Sequence, residues 1–322
     1  MNLDVMLEKC RREQWNVGDL DWDGRPRDMS RDDEIAIVQY FTDMAGIERL
    51  AAALFAAQEK NAQDERLREI FQSFVKDEIR HAHAAQMLAD YYDVHRYQTY
   101  QANPALMRFT PHFVNAIRYL PPEIANTYIT SGELILDVAL LRSINDHVGD
   151  AMSEKAMALI NRDESRHIAI DFHMVEHYAS REYKRAQRER PRAPVSERIR
   201  AAWAFVNVLY YGAPFFKGVF FQPMRVVDPT GKRMRQAFKR IQLLGTKGEL
   251  REHPFTKFMT GLQDLYNDHP VVRLTFGRLI ERIVGVDPSL IARLYDEKDV
   301  SRAARMSFDE LAEDALSAKY AS

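Results

Sequence analysis

Residues 77–81 read DEIRH and residues 163–167 read DESRH, so one chain carries nearly the same five-residue word twice, 86 positions apart. Both copies lie in runs rich in Ala, Leu, Glu, Arg, Gln and Met, which favour helix. On a helix Glu78 and His81 share a face, and so do Glu164 and His167, because three residues is close to one turn. That face is the apolar one. Glu78 sits on the stripe Leu67, Phe71, Phe74, Val75, Ala82, Ala85, Leu88, while Glu164 and His167 fall on Met157, Ile160, Ile168, Val175. An unpaired carboxylate buried there costs several kcal/mol even after relaxation, so something must neutralise it, and a metal ion would.

Working outward, four long helices are predicted. The first is capped by Ser30, with Asp33 in the reciprocal box position, and runs to about residue 60. The second begins near Asp64 and carries DEIRH. The third opens at Pro121 and Pro122, residues suited to a first turn, and continues through EIANTYITSGELILDVALLRSINDH (123–147). The fourth follows Ser153, carries DESRH and ends at about Tyr183. Each is roughly 40 Å long at about 1.5 Å per residue, as a four-helix bundle requires. Short breaks make the first and second, and the third and fourth, antiparallel neighbours; residues 93–120 form a longer connection that can cross between the pairs. KRAQRERPRAPVSERIR (184–200) reads as a charged linker before a fifth helix from about Ser196, and shorter helices follow, ending in the capped SFDELAEDALSAKY (307–320). The expected architecture is all-α: an N-terminal extension (1–30), a di-metal four-helix bundle (31–183), and additional helices (184–322) packed on it in the same domain.

The partner helices supply further acids. Glu48 lies on the stripe Phe41, Met44, Ala51, Phe55, and Glu133 lies on Ile129, Leu136, Leu140. Glu48 precedes Glu78 by 30 residues and Glu133 precedes Glu164 by 31, so each helix pair repeats the order Glu, then Glu-x-x-His. One Glu from each of two helices plus Glu-x-x-His from each of two others is the ligand set of di-iron and di-manganese bundles, and four carboxylates balance two divalent cations. Glu48, Glu78, His81, Glu133, Glu164 and His167 are therefore the predicted ligands. Asp77 and Asp163 point about 100° away round their helices, where each can reach the free ring nitrogen of the histidine in the opposite word. Arg80 and Arg166 can hold those aspartates. Asp171, one turn beyond His167, is placed for the inner polar network or for a salt bridge. Glu123, Asp90, His83 and His95 read as solvated or loop residues.

At this point residues 31 to about 183 resemble the ferritin-like di-iron carboxylate superfamily, in which D-E-x-R-H is a common form of the motif. The resemblance implies two iron ions, or a manganese–iron pair since the same ligands suit both, with O2 as co-substrate and a peroxo or higher-valent oxidant. It is specific to the superfamily and not to a member. Ribonucleotide reductase small subunits usually carry a radical tyrosine seven residues after the first motif's Glu, where Ala85 stands. Ligand-binding oxidases similar to them place a tyrosine five residues before the third Glu, and Tyr128 is there; their crosslinked valine position is Ala51. The p-aminobenzoate N-oxygenases add a histidine where this chain has Ile160. A six-ligand site is left, as in acyl carrier protein desaturases and bacterial hydroxylases. Related oxygenases often put a hydroxyl-bearing residue one turn after the third Glu, the position of Asp137, so Asp137 and Tyr128 are the catalytic candidates. The implied activity is hydroxylation, desaturation or N-oxygenation of a small organic substrate, fed by an external electron donor. The alternatives are iron handling or a metal-stabilised scaffold, and quinol oxidation at a membrane surface.

Bulk properties narrow the setting. With 45 basic and 47 acidic residues the net charge is −2, which gives no global field pointing to nucleic acid or to an anionic membrane, so any such contact has to be local. The single cysteine, Cys10, forms no internal disulfide and the polar start lacks a signal-peptide core, so a reducing cytoplasm is expected. WAFVNVLYYGAPFFKGVFF (203–221), interrupted by Asn207, Gly212, Pro214 and Lys217, reads as a poor membrane span. It reads instead as the lid of an apolar cavity beside the metals, or as a core or homodimer-interface helix. Arg181–Arg200 holds eight basic and three acidic residues, a solvated linker or a dock for an acidic ferredoxin-type donor.

Overall fold

The protein is described from a computed structural model, in which residues 1–318 are placed apart from Leu120, Arg190, Arg192, His253 and Gly285, and apart from the side chains of Glu249, Pro254 and Val284. Among the described residues all regular structure is helical. The first half comprises α1 (Leu3–Arg12), α2 (Arg31–Asn61), α3 (Glu65–Tyr92), α4 (Pro104–Ile117), α5 (Pro122–Glu133), α6 (Arg142–Val148) and α7 (Ala151–Ala179). A π-helical segment, Leu134–Leu141, joins α5 to α6 in one continuous rod. The second half comprises α8 (Arg181–Glu189), α9 (Val195–Phe215), α10 (Gln222–Val227), α11 (Lys232–Thr246), α12 (Gly248–Arg251), α13 (Pro254–Asp268), α14 (Pro270–Val284), α15 (Pro288–Ile291), α16 (Glu297–Arg305) and α17 (Phe308–Ser317). Here too a π-helical segment, Phe216–Phe221, makes α9 and α10 continuous.

Local chemistry sets the helix starts. The Ser30 hydroxyl accepts from the Asp33 amide at 3.2 Å, and the Asp64 carboxylate accepts from the Arg66 amide at 2.8 Å. The cap of α7 is Asp150, which accepts from the Ser153 amide at 2.8 Å; Ser153 lies inside the first turn, so the helix starts earlier than its sequence implies. Gly149 holds φ 61°, the left-handed conformation that ends α6 and that glycine adopts without strain.

The long helices pack by their apolar stripes. α2 lies along α3, α5 lies on α7, and the pairs meet where α2 touches α5 and α3 touches α7. Phe41, Phe55, Phe71 and Phe74 are fully buried between them. Each such side chain contributes about 1.5–3 kcal/mol of transfer free energy, an upper bound against a compact unfolded chain. α4 crosses α2 at Gly46, where a Cβ would stand 2.7 Å from Leu106 Cδ2, so any larger residue would force the Leu106 side chain to shift. α17 covers α7, and α11 covers the π-helical segment after Glu133.

Three stretches differ from their sequence reading. The extension over 1–30 contains α1, which packs on α3. The connection over 93–120 contains α4, with Pro111 inside it. The charged linker is helical at both ends, as α8 and the start of α9; Arg190 and Arg192 lie outside the described residues, as do Lys319 and Tyr320 of the last expected helix. Interruption at Pro214 does not break α9, because the π-helical segment that follows absorbs the register change. Two rods are consequently long and apolar enough to cross a membrane by length and composition. Pro122–Val148 is 72% buried over its most apolar window and so is a core element, whereas Val195–Val227 is only 33% buried.

Candidate metal centre

Four helices bring six side chains together at the middle of the core. Glu48 comes from α2, Glu78 and His81 from α3, Glu133 from the end of α5, and Glu164 and His167 from α7. All are buried, the most accessible being Glu133 at 3%. Their ligand atoms form two groups, each within 4.8 Å internally: Glu48, Glu78, His81, Glu164, and Glu78, Glu133, Glu164, His167. Glu78 and Glu164 belong to both, so they stand between the two groups.

The histidines face the carboxylates through one nitrogen. His81 Nδ1 is 3.1 Å from Glu164 Oε1, and His167 Nδ1 is 3.0 Å from both Glu78 Oε1 and Glu164 Oε2. Phe74 and Phe55 wall the His167 ring at centroid distances of 4.2 and 5.0 Å. The other nitrogen of each ring faces the aspartate of the opposite word. His81 Nε2 is 3.1 Å from Asp163 Oδ2, and His167 Nε2 is 3.5 Å from Asp77 Oδ2. A proton held on Nε2 by these aspartates leaves the Nδ1 lone pair directed at the carboxylates.

The aspartates are in turn gripped. Arg166, fully buried, donates to Asp163 at 2.7 Å and to Asp77 at 3.1 Å; Arg80 pairs with Asp77 and, at 3.1 Å, with Asp163. Two aspartates and two arginines sum to zero charge, so this layer leaves the negative charge of the glutamates uncompensated. Residues to which the sequence reading gave no role close the layer from outside. Trp15 donates its indole N–H to Asp163 at 2.7 Å and lies under the Arg80 guanidinium, 5.2 Å from its ring centroid. Glu13 accepts from Arg166 at 3.0 Å, and Gln14 accepts from Arg80 at 2.8 Å. An aromatic next to polar residues after α1 is the sole sequence signal for this, and it is a weak one.

Electrostatics expose the shortage of positive charge. Burial, then the Glu164 charge, lifts Glu48 to about 7, and the same causes push Glu78 and Glu133 well above the carboxylate range. Burial opposes charge on the histidines, yet the Asp163 hydrogen bond and Glu164 raise His81 to about 10, and Glu164 with Asp77 raises His167 to about 9. Both oxygens of Glu48 and of Glu78 have no hydrogen-bond partner, nor does one oxygen each of Glu133 and Glu164. Oxygen and imidazole donors that converge this closely, and hold protons more tightly than usual, fit a divalent cation, whose binding would displace those protons.

The remaining predicted residues fall in two places. Asp171 is fully buried beside the cluster; its carboxylate has no hydrogen-bond partner, and burial holds its pKa well above the ordinary value. Tyr128 lies in the wall of a cavity of about 350 Å³ that Glu133 also lines. Phe113 and Phe255 flank its ring, and burial raises its hydroxyl to about 12. Asp137 is buried in the π-helical segment, and it is in neither ligand group nor among the described residues lining the cavity. α9 contributes Val208, Gly212 and Phe215, and the π-helical segment after it Phe216, to the same cavity. Exposed His83 and Asp90 lie away from the cluster, His95 pairs with Glu34 at 2.7 Å, and Glu123 accepts from the Tyr183 hydroxyl at 2.8 Å.

No protein-family model, curated protein or solved structure matches the chain. Fold and site together define an all-helical protein with a buried carboxylate–histidine cluster able to hold a metal ion.

Proposed function

We propose that residues 31–183 form a ferritin-like four-helix bundle holding two iron ions, with residues 184–322 packed on it in one domain, and that the protein is an O2-activating oxidase or oxygenase of a small organic substrate. The observation that carries this reading is the pair of overlapping ligand groups sharing Glu78 and Glu164. Four glutamates and two neutral histidines leave four negative charges in the core, which two divalent cations cancel. Held by Glu48, Glu78, His81, Glu133, Glu164 and His167, reduced iron would supply the electrons that activate O2, with an external electron donor restoring the reduced state.

The chain's own residues do the rest. Asp163 and Asp77 aim the two imidazoles, and Arg80 and Arg166 fix the aspartates, so the donor atoms are arranged before any ion arrives. Phe55 and Phe74 keep water from the His167 side. Burial raises the pKa of Asp171 well above the ordinary carboxylate value, which suits its carboxyl group to hold or pass a proton beside the glutamates. The cavity beside Glu133 admits an apolar, uncharged molecule, since Glu133 is its only charged lining residue among those described. Tyr128 keeps its proton to about pH 12 and so offers that molecule a hydrogen-bond donor.

The reading is tested by mixing anaerobic, ferrous-loaded protein rapidly with O2. Transient visible absorbance that decays faster when a neutral apolar substrate is present supports an oxygenase. Iron oxidation at a rate indifferent to every such substrate, followed by accumulation of ferric mineral, would instead assign the chain to iron handling.

A further inference from the structure

Outside the metal centre, the largest unexplained feature is α9. Val195, Ile199, Trp203, Val206 and Tyr210 fall within an arc of about 80° at roughly 100° per residue. All five are exposed, Trp203 by 68% and Ile199 by 64%. The opposite side of the same helix carries Val208, Gly212 and Phe215 against the cavity, so α9 is apolar on both faces and covered on one. Arg282 of α14 stacks on the Tyr210 ring at 4.9 Å, which joins the α9 stripe to the α14 face bearing Val271 and Leu279, both exposed. Leu274, on the edge of that face, is 88% exposed. Apolar surface on this scale marks an interaction site.

We propose that the α9–α14 face docks on an anionic lipid surface, lying on the bilayer and not spanning it. Charge selects the occupant. At about 100° per residue the exposed Arg198 and Arg200 flank the α9 stripe and the exposed Arg278 and Arg282 share the Val271–Leu279 side of α14, whereas Glu197 and Arg273 fall on the opposite sides of their helices; the chain as a whole has a net charge of −2. Glu281 is engaged by the Tyr266 hydroxyl at 3.0 Å. A second copy related by a two-fold axis would bring the same arginines against one another, whereas anionic headgroups complement them. Apolar side chains including a tryptophan, bordered by arginines, suit the headgroup–acyl boundary. Spanning would require the continuous rod of α9 and α10 to abandon its cavity contacts and to immerse Glu197, Arg198, Arg200 and Lys217. This inference stands whether or not the metal centre handles O2. It also places the helix that walls the cavity at a lipid surface, where apolar molecules are concentrated.

The test is co-sedimentation of the full chain with vesicles of phosphatidylcholine alone or with added phosphatidylglycerol. Binding to the anionic vesicles, weakened by salt, is expected. Arg278→Gln with Arg282→Gln should lower the affinity about thirtyfold, from the attraction of about 1 kcal/mol that each basic residue contributes near an anionic surface. Ile199→Ser with Trp203→Ser should abolish binding, with circular dichroism and thermal midpoint unchanged because these side chains are exposed. Absence of binding to anionic vesicles, or binding that both double variants leave intact, overturns the proposal. A lipid-free dimer that Ile199→Ser with Trp203→Ser converts to monomer also overturns it, and gives the face to a second copy.

Discussion

Asp163 Oδ2 lies 3.1 Å from His81 Nε2, so the aspartate of the second word orients the histidine of the first. The return contact, Asp77 to His167, is 3.5 Å. The two words therefore interlock, and each contributes the support of the other's ligand.

Asp163→Asn keeps the shape of that support and removes its charge. Metal affinity, measured by competition with a chelator of known strength, should fall by about 10- to 100-fold, as for other residues that orient ligating histidines. Unchanged affinity would mean that the helix backbone alone aims the His81 ring.

Trp15→Phe deletes the indole donor to Asp163 and keeps an aromatic ring over Arg80. Denaturant unfolding should show a loss of about 1.5–3 kcal/mol, the range for a hydrogen bond to a charged group. No loss would show that the segment after α1 is dispensable to the Asp–Arg layer.

Two glycines should respond with opposite sign. Gly46→Ala drives a Cβ to 2.7 Å from Leu106, which is itself buried, and overpacking of this kind costs about 1–3 kcal/mol. At Gly212 the nearest atoms are 3.9 and 4.0 Å away, so alanine fits and should stabilise α9 by about 0.5–1 kcal/mol. Thermal midpoints of the two variants decide both claims; a rise for Gly46→Ala would contradict the close α2–α4 crossing.

Cys10 is fully buried, and burial lifts its thiol from 9.0 to about 11. The folded state then holds the proton more tightly than the unfolded chain. The stabilisation from this group is present below pH 9 and is lost as the pH climbs through 11. At pH 8 native protein should react with thiol reagents only at the rate of opening, while denatured protein reacts at once. Prompt native labelling would place Cys10 at the surface.

Helices were legible wherever a stripe of apolar residues ran long enough to set a period, as in α2, α3 and α7. The convergence of Glu48, Glu78, His81, Glu133, Glu164 and His167 followed from the same logic, since acids on an apolar face have nowhere to go but inward. Contacts between distant segments left no periodic trace, which is why Glu13, Gln14 and Trp15 went unread. α4 was hidden by Pro111, and α8 by a composition that suits a solvated helix as well as a linker. The π-helical segments after Glu133 and Phe215 were illegible because an added residue per turn shifts the register that a 3.6-residue pattern assumes.

The central claim, that six side chains hold two ions, is tested most directly by metal content. Wild-type chain, Glu78→Ala and Glu164→Ala are loaded anaerobically with ferrous iron, desalted and assayed for iron per chain, with helix content checked by circular dichroism. Two ions per wild-type chain are expected, and neither site should stay filled in either variant, because Glu78 and Glu164 belong to both ligand groups. Folded variants that retain the wild-type ratio would contradict the account.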